Sequence, residues 1–112
     1  MGRLILIPHD IGRPVRVVLQ RTFEDGDFRI LYLSEDLEPN VDEIRERIVG
    51  LVNEDDEIYL ILGGAYLAVA VAIRYLELLG VRYKMLLFDK KNKKYLILDS
   101  SGNVVGDGGD SV

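Results

Sequence analysis

The sequence predicts an α/β domain in which a mostly parallel sheet carries helices on its faces and closes in an antiparallel edge hairpin. Three observations carry that prediction. Short continuous apolar runs at 4–7 and 58–62 read as strands covered on both faces, and 28–33 reads as a further strand. Residues 41–52 and 65–79 have the length and spacing of helices. Strand and helix signals alternate up to residue 88, after which a second strand follows directly across a polar turn.

Leu4-Ile5-Leu6-Ile7 is the first strand. Residues 8–14 end it, because two prolines and a glycine exclude regular structure. Pro14 fits the first turn of a helix, where its missing N–H removes no hydrogen bond, and Val15, Val18, Leu19 and Thr22 follow at helical spacing. A second reading is open here. Residues 15–23 are rich in β-branched side chains and Asp25-Gly26 signals a tight turn, so the segment also reads as one arm of a hairpin with 28–33. The order strand, loop, proline favours the helix.

Residues 28–33 form the second strand and 34–39 a loop. Asn40 is a good N-cap, with Glu43 three residues on in a capping-box pattern. Val41, Ile44, Ile48, Leu51 and Val52 make one apolar stripe, with Arg45, Glu46 and Arg47 facing out. The acidic run 54–57 reads as a solvated turn. Residues 58–62 are a buried strand ending at Gly63-Gly64. The helix over 65–79 has no charge before Arg74; apolar nearly all round, it needs cover on most sides, and a second chain is a natural source in so small a domain. Gly80 ends it as a C-terminal cap. Residues 82–88 are the fourth strand, 89–94 a polar turn and 95–98 the returning strand. Residues 100–112, with four glycines, read as a flexible tail, which leaves 1–99 as the domain. The order β-α-β-α-β-α-β-β is Rossmann-like in topology.

Composition limits the function classes. With 112 residues, 48% hydrophobic and 29% charged, the chain is one globular domain. A domain of this length buries about two thirds of its unfolded surface and needs no covalent staple. The absence of cysteine excludes zinc ribbons, iron–sulfur clusters and thiol chemistry, and points to a reducing compartment. The longest uncharged stretch, 58–73, is shorter than the ~20 residues that span a bilayer, and the apolar run after Arg3 is too short for a signal peptide. A soluble, cytoplasmic protein without membrane contact is expected. Only five Asn and Gln beside abundant charge lean toward a thermophilic source.

Net charge is −5, which argues against duplex nucleic acid as a partner. The charge is unevenly spread. Residues 1–22 hold four arginines and one aspartate, residues 24–57 three arginines and thirteen acids, and residues 58–112 seven bases and five acids. All five lysines lie between Lys84 and Lys94, so either basic end can still attract a small anion.

In an open parallel sheet, ligands bind beyond the carboxyl ends of the strands. Three loops reach that edge: 8–14, 34–39 and 63–66. They make Asp10, Ile11, Gly12, Ser34, Gly63, Gly64, Ala65 and Tyr66 the candidate binding residues. His9, the only histidine, is a candidate acid–base group or ligand contact, and otherwise an exposed or capping residue. One His and one Asp do not make a metal site, so none is expected. Arg13 precedes a helix start suited to phosphate. Gly63-Gly64 between a strand and a helix lets a ligand approach the backbone, or else serves helix–strand packing. Tyr66 is placed to stack on a base, or to enter the core. The lysines of 89–94 are a solvated hairpin tip or a phosphate contact. No GxGxxG, Walker A or G-x-S-x-G pattern is present.

An apolar strand breaking into a Gly/Pro loop at 4–14, the helix Val41-Asp42-Glu43-Ile44-Arg45-Glu46-Arg47-Ile48, a strand ending in Gly-Gly before an Ala-rich helix, and a strand closing on Asp89 before a hairpin form a combined pattern. It resembles the CARF (CRISPR-associated Rossmann fold) domains and the small stand-alone ring nucleases related to them. The resemblance implies a homodimer of CRISPR antiviral defence that binds a cyclic oligoadenylate, tetra-adenylate foremost, across its two-fold axis. The first-strand loop and the Gly-Gly helix start would line that site. Some such proteins cleave the ring without metal or cofactor, by attack of a ribose 2′-hydroxyl on the adjacent phosphate; His9 and Arg13 are then the catalytic candidates. Two other readings stand beside it: an interaction module docking through 65–79, and a different enzyme acting on a small phosphate ligand.

Overall fold

The strand and helix segments assemble into one six-stranded mixed sheet with three helices. The computed structural model describes residues 2–9, 14–35 and 38–106. In chain order the elements are β1 (Arg3–Ile7), α1 (Val15–Thr22), β2 (Arg29–Tyr32), α2 (Val41–Val49), β3 (Glu57–Ile61), α3 (Tyr66–Leu78), β4 (Lys84–Asp89), β5 (Lys94–Leu98) and β6 (Val104–Gly106). The strands lie in the order β2-β1-β3-β4-β5-β6, parallel through β4 and antiparallel beyond it.

This order follows from chain direction. β1 to β2 runs one way across the sheet, while β2 to β3 and β3 to β4 run the other. With right-handed crossovers, that reversal puts α1 on one face and α2 with α3 on the other. The core divides accordingly. Leu4, Leu6, Ile58 and Leu60 pack with Ile44, Ile48, Ala68, Ala72 and Leu76 of α2 and α3. Ile5, Ile7, Tyr59 and Ile61 pack with Val15 and Leu19 of α1. Alternate residues of β1 and β3 thus face opposite layers, and both strands are apolar throughout the sheet interior.

Residues 15–22 are helical, so the hairpin alternative is excluded. Asn40 caps α2: its side-chain oxygen accepts the Glu43 N–H at 3.1 Å. The reciprocal arm of the capping box is replaced. The Asn40 N–H donates to Ser34 Oγ at 3.0 Å, and the Glu43 carboxylate accepts the Glu35 N–H instead. Gly80 has φ +68 and closes α3 in a Schellman turn, with Gly80 N–H on the Glu77 carbonyl and Val81 N–H on the Leu76 carbonyl.

Three expectations are corrected. The apolar stripe along α2 is narrower than expected: Ile44, Ile48 and Leu51 enter the core, whereas Val41 and Val52 are exposed. Arg47 does not face outward. It is half-buried and donates to the Tyr32 carbonyl, with Glu35 and Glu43 carboxylates at 3.4 and 3.6 Å. In a parallel strand the Leu33 N–H bonded to Ile7 turns the Tyr32 carbonyl outward, so Arg47 blunts an open sheet edge. Finally, the sheet does not end at β5. Val104–Gly106 pairs with Ile97 and Leu98, so the segment read as tail supplies the edge strand.

Candidate functional site

Because the chain leaves β1 toward β2 and leaves β3 toward β4, the carboxyl ends of the adjacent strands β1 and β3 flank the topological switch point. Pro8 and His9 follow β1 there, with Pro8 buried and His9 half-buried. Leu62, Gly63 and Gly64 follow β3 and lead into α3. Of the sequence candidates, His9, Gly63, Gly64, Ala65 and Tyr66 therefore belong to one edge. Asp10, Ile11, Gly12 and Arg13 lie outside the described residues.

The two glycines have different roles. Gly64 has φ +89, a left-handed conformation that disfavours any side chain. Gly63 has no such constraint, and a Cβ on it would meet only Ile61 Cγ2, at an ordinary 3.6 Å. Tight helix–strand packing therefore does not explain Gly63. The start of α3 is open: Ala65 is its N-cap, no side chain accepts from its first turn, and that turn carries no acid. The first N–H groups of such a helix are intrinsically unpaired and form a weakly positive end. Tyr66 stands beside them at 94% exposure, in solvent rather than in the core.

Ser34 reaches the same edge but is fully buried, and its hydroxyl oxygen is engaged by the Asn40 N–H. It fixes the turn between β2 and α2 and presents no group to a ligand.

Sequence reasoning missed a cleft of about 210 Å³ at this edge. Val15 and Val18 of α1, Ile61 and Gly63 after β3, and Phe88 and Tyr95 from the β4–β5 hairpin line it. Phe88 and Tyr95 meet edge-on, ring centroids 6.1 Å apart at 72°. The signal was present in β4, where Leu86 and Phe88 share the face toward α1, but only the position of α1 shows that Phe88 is left half uncovered. The lysine-rich turn is also placed by the fold. β4 is parallel to β3, so its carboxyl end and the tip at 89–94 project at the candidate edge.

A larger cavity, about 550 Å³, opens at the opposite edge among the C-terminus of α3 and the starts of β3 and β4. Its acids are occupied internally. Glu57 accepts from the Tyr59 hydroxyl at 2.7 Å, Glu77 from the Tyr83 hydroxyl at 2.6 Å, and Asp99 from the backbone of Ser101 and Asn103. Burial and these carboxylates push both phenols up to about 12. The cavity is thus lined by groups that hold the fold, whereas at the carboxyl edge the start of α3 has no side-chain cap.

The outward face of α3 is uncovered. Tyr66, Leu67, Ala70 and Leu78 are exposed, and no other element lies over them among the described residues. Among the described residues no helix is long and apolar enough to cross a membrane. No family model matches the chain, and no curated protein matches it. The fold is that of a small α/β domain in which the carboxyl ends of β1 and β3 flank a topological switch point.

Proposed function

We propose that two copies of this chain bind a cyclic oligoadenylate, tetra-adenylate foremost, at the carboxyl edge of the sheet, in the defence role that the CARF resemblance implies. The observation that carries the reading is the start of α3. An uncapped, acid-free helix end leaves a left-handed Gly64 at the switch point, where backbone N–H groups and the helix dipole favour a phosphate. Tyr66 adds an exposed ring beside that end, and His9 follows the neighbouring strand. Two copies meet through the uncovered face of α3, which presents one patch to its own image about a two-fold axis.

Calorimetry with cyclic tetra-adenylate, and linear tetra-adenylate as control, tests the reading. One ring per two chains, with the ring preferred, supports it. Gly63→Ala then weakens binding without loss of stability, since its methyl group has room in the free protein. No heat with the ring at two temperatures overturns the reading. A time course on the bound ring, repeated with His9→Ala, decides whether the chain also cleaves it.

The exposed α3 face also favours a second reading, an interaction module without a nucleotide ligand. Leu67→Glu separates the two. Loss of a partner chain with no ring affinity in the parent protein supports the module, and ring affinity excludes it.

A further inference from the structure

We infer that the cleft between α1 and the β4–β5 hairpin is a nucleobase subsite, and that the lysines of the hairpin tip hold the phosphate attached to that base. The inference rests on the reading of the carboxyl edge as a nucleotide site, but not on the ligand being a ring.

The cleft has the size for one ring system. At about 210 Å³ it falls below the roughly 300–1,000 Å³ of pockets that enclose whole drug-sized ligands. Its lining is largely apolar: Val15, Val18, Ile61, Phe88 and Tyr95, together with Gly63. Among the described residues a single helix of eight residues lies on this face, and Phe88 is left 42% exposed. A partly exposed aromatic on the wall of an apolar slot is the arrangement on which a base stacks, whatever its sequence.

The hairpin tip joins Phe88 directly to Tyr95 and carries Lys90, Lys91, Lys93 and Lys94. Its one acid does not neutralise them. Asp89 is engaged in folding the turn: its carboxylate accepts from the Lys91 N–H at 3.0 Å and from Asn92 Nδ2 at 2.7 Å, and its carbonyl accepts from Lys93 N–H at 2.8 Å. No lysine of the tip forms an ion pair among the described residues. A chain of net charge −5 thus gathers four unpaired ammonium groups beside an apolar slot. An apolar ring joined to an anionic group matches both halves, and a nucleobase carrying a phosphodiester is that chemistry. The source is a cyclic or a linear oligonucleotide, which the experiment distinguishes.

Binding of adenosine, linear tetra-adenylate and cyclic tetra-adenylate is measured by calorimetry on the full chain and on Phe88→Ala and K90Q/K91Q. Val18→Phe fills the slot from the other side and replaces Phe88→Ala if that variant melts early. The expected result is that either slot variant weakens every adenylate about tenfold or more. The lysine variant weakens only the two phosphorylated ligands and flattens their salt dependence. Unchanged affinity for both phosphorylated ligands in the slot and lysine variants overturns the inference. If the ring then still loses affinity in Gly63→Ala, the ring reading survives alone. If the linear ligand responds to slot and tip while the ring is not preferred, the ring reading falls and the subsite stands. Absence of binding by all three ligands overturns both.

Discussion

Thr22 and Tyr95, 73 residues apart, are joined by one buried hydrogen bond: the Thr22 hydroxyl oxygen accepts the Tyr95 backbone N–H at 2.9 Å. The same hydroxyl donates to the Val18 carbonyl at 2.8 Å, so its donor and one acceptor position are both used. The bond fastens the end of α1 to the strand whose hairpin forms one wall of the cleft.

Thr22→Val keeps the shape and removes the acceptor. The Tyr95 N–H then loses its hydroxyl acceptor, and the expected loss is about 1–3 kcal/mol in a denaturant titration. Thr22→Ser restores the acceptor and recovers most of that loss. Equal stability of the Val variant and the parent would show that the bond contributes nothing.

Gly64→Ala and Gly63→Ala separate backbone strain from ligand approach. Alanine at φ +89 costs about 1–2 kcal/mol, read as a lower melting point. Alanine at 63 meets one methyl group at contact distance and leaves the melting point unchanged. A large fall in the Gly63→Ala melting point would mean that Gly63 serves packing after all.

Removal of the α2 cap has a defined sign. Asn40→Ala frees the Glu43 N–H and costs about 1 kcal/mol, while Asn40→Asp retains an acceptor and stays near the parent. Ser34→Ala affects the same turn by removing the hydroxyl that accepts the Asn40 N–H. Comparable midpoints for Asn40→Ala and the parent in urea would remove the cap from the account.

Alkaline pH acts through Tyr59 and Tyr83. Burial first, and then the Glu57 and Glu77 carboxylates, raise each phenol from 10.0 to about 12 in the folded chain. A folded pKa above the unfolded one gives stability that is complete below pH 10 and lost as pH climbs from 10 toward 12. Tyr59→Phe and Tyr83→Phe each remove tyrosinate absorbance from the upper end of the titration. A variant whose curve loses amplitude only near pH 10 contradicts the assignment.

Acid acts through Asp56. The Arg29 guanidinium at 2.6 Å, then the Gly2 N–H at 3.2 Å, holds its carboxyl below the ordinary carboxylate range. The stability this pair adds is present above the unfolded pKa and lost as pH falls through the lower folded one. Arg29→Gln moves the acid-unfolding midpoint upward, and an unmoved midpoint rules out a contribution from the pair.

Local signals were legible where neighbours in sequence decide the outcome. Asn40 caps and Gly80 terminates because a cap and a left-handed turn depend on residues within one helical turn. The paired strands β1 and β3 were legible because burial on both faces imposes an unbroken apolar run. β6 was not, since Val104–Gly106 is three residues long, two of them exposed, and exists only by pairing with β5. Arg47 was misread for a related reason. Its charge predicts solvent, but the outward carbonyl of an edge strand is a partner that no helical periodicity contains.

For the site, the sequence by itself determined which strand ends reach the carboxyl edge, the glycines at 63 and 64 and the separation of acidic and basic segments. These follow from strand ends, glycine and charge, which are properties of residue type. Only the tertiary structure decided that Ser34 is buried and occupied, that Tyr66 stands in solvent, and that Phe88 and Val18 share one cleft. Those outcomes depend on which strands become neighbours and how much of a six-stranded face a single short helix can cover. Strand order and coverage are set by the whole chain packing at once, and no stretch of it holds that information alone.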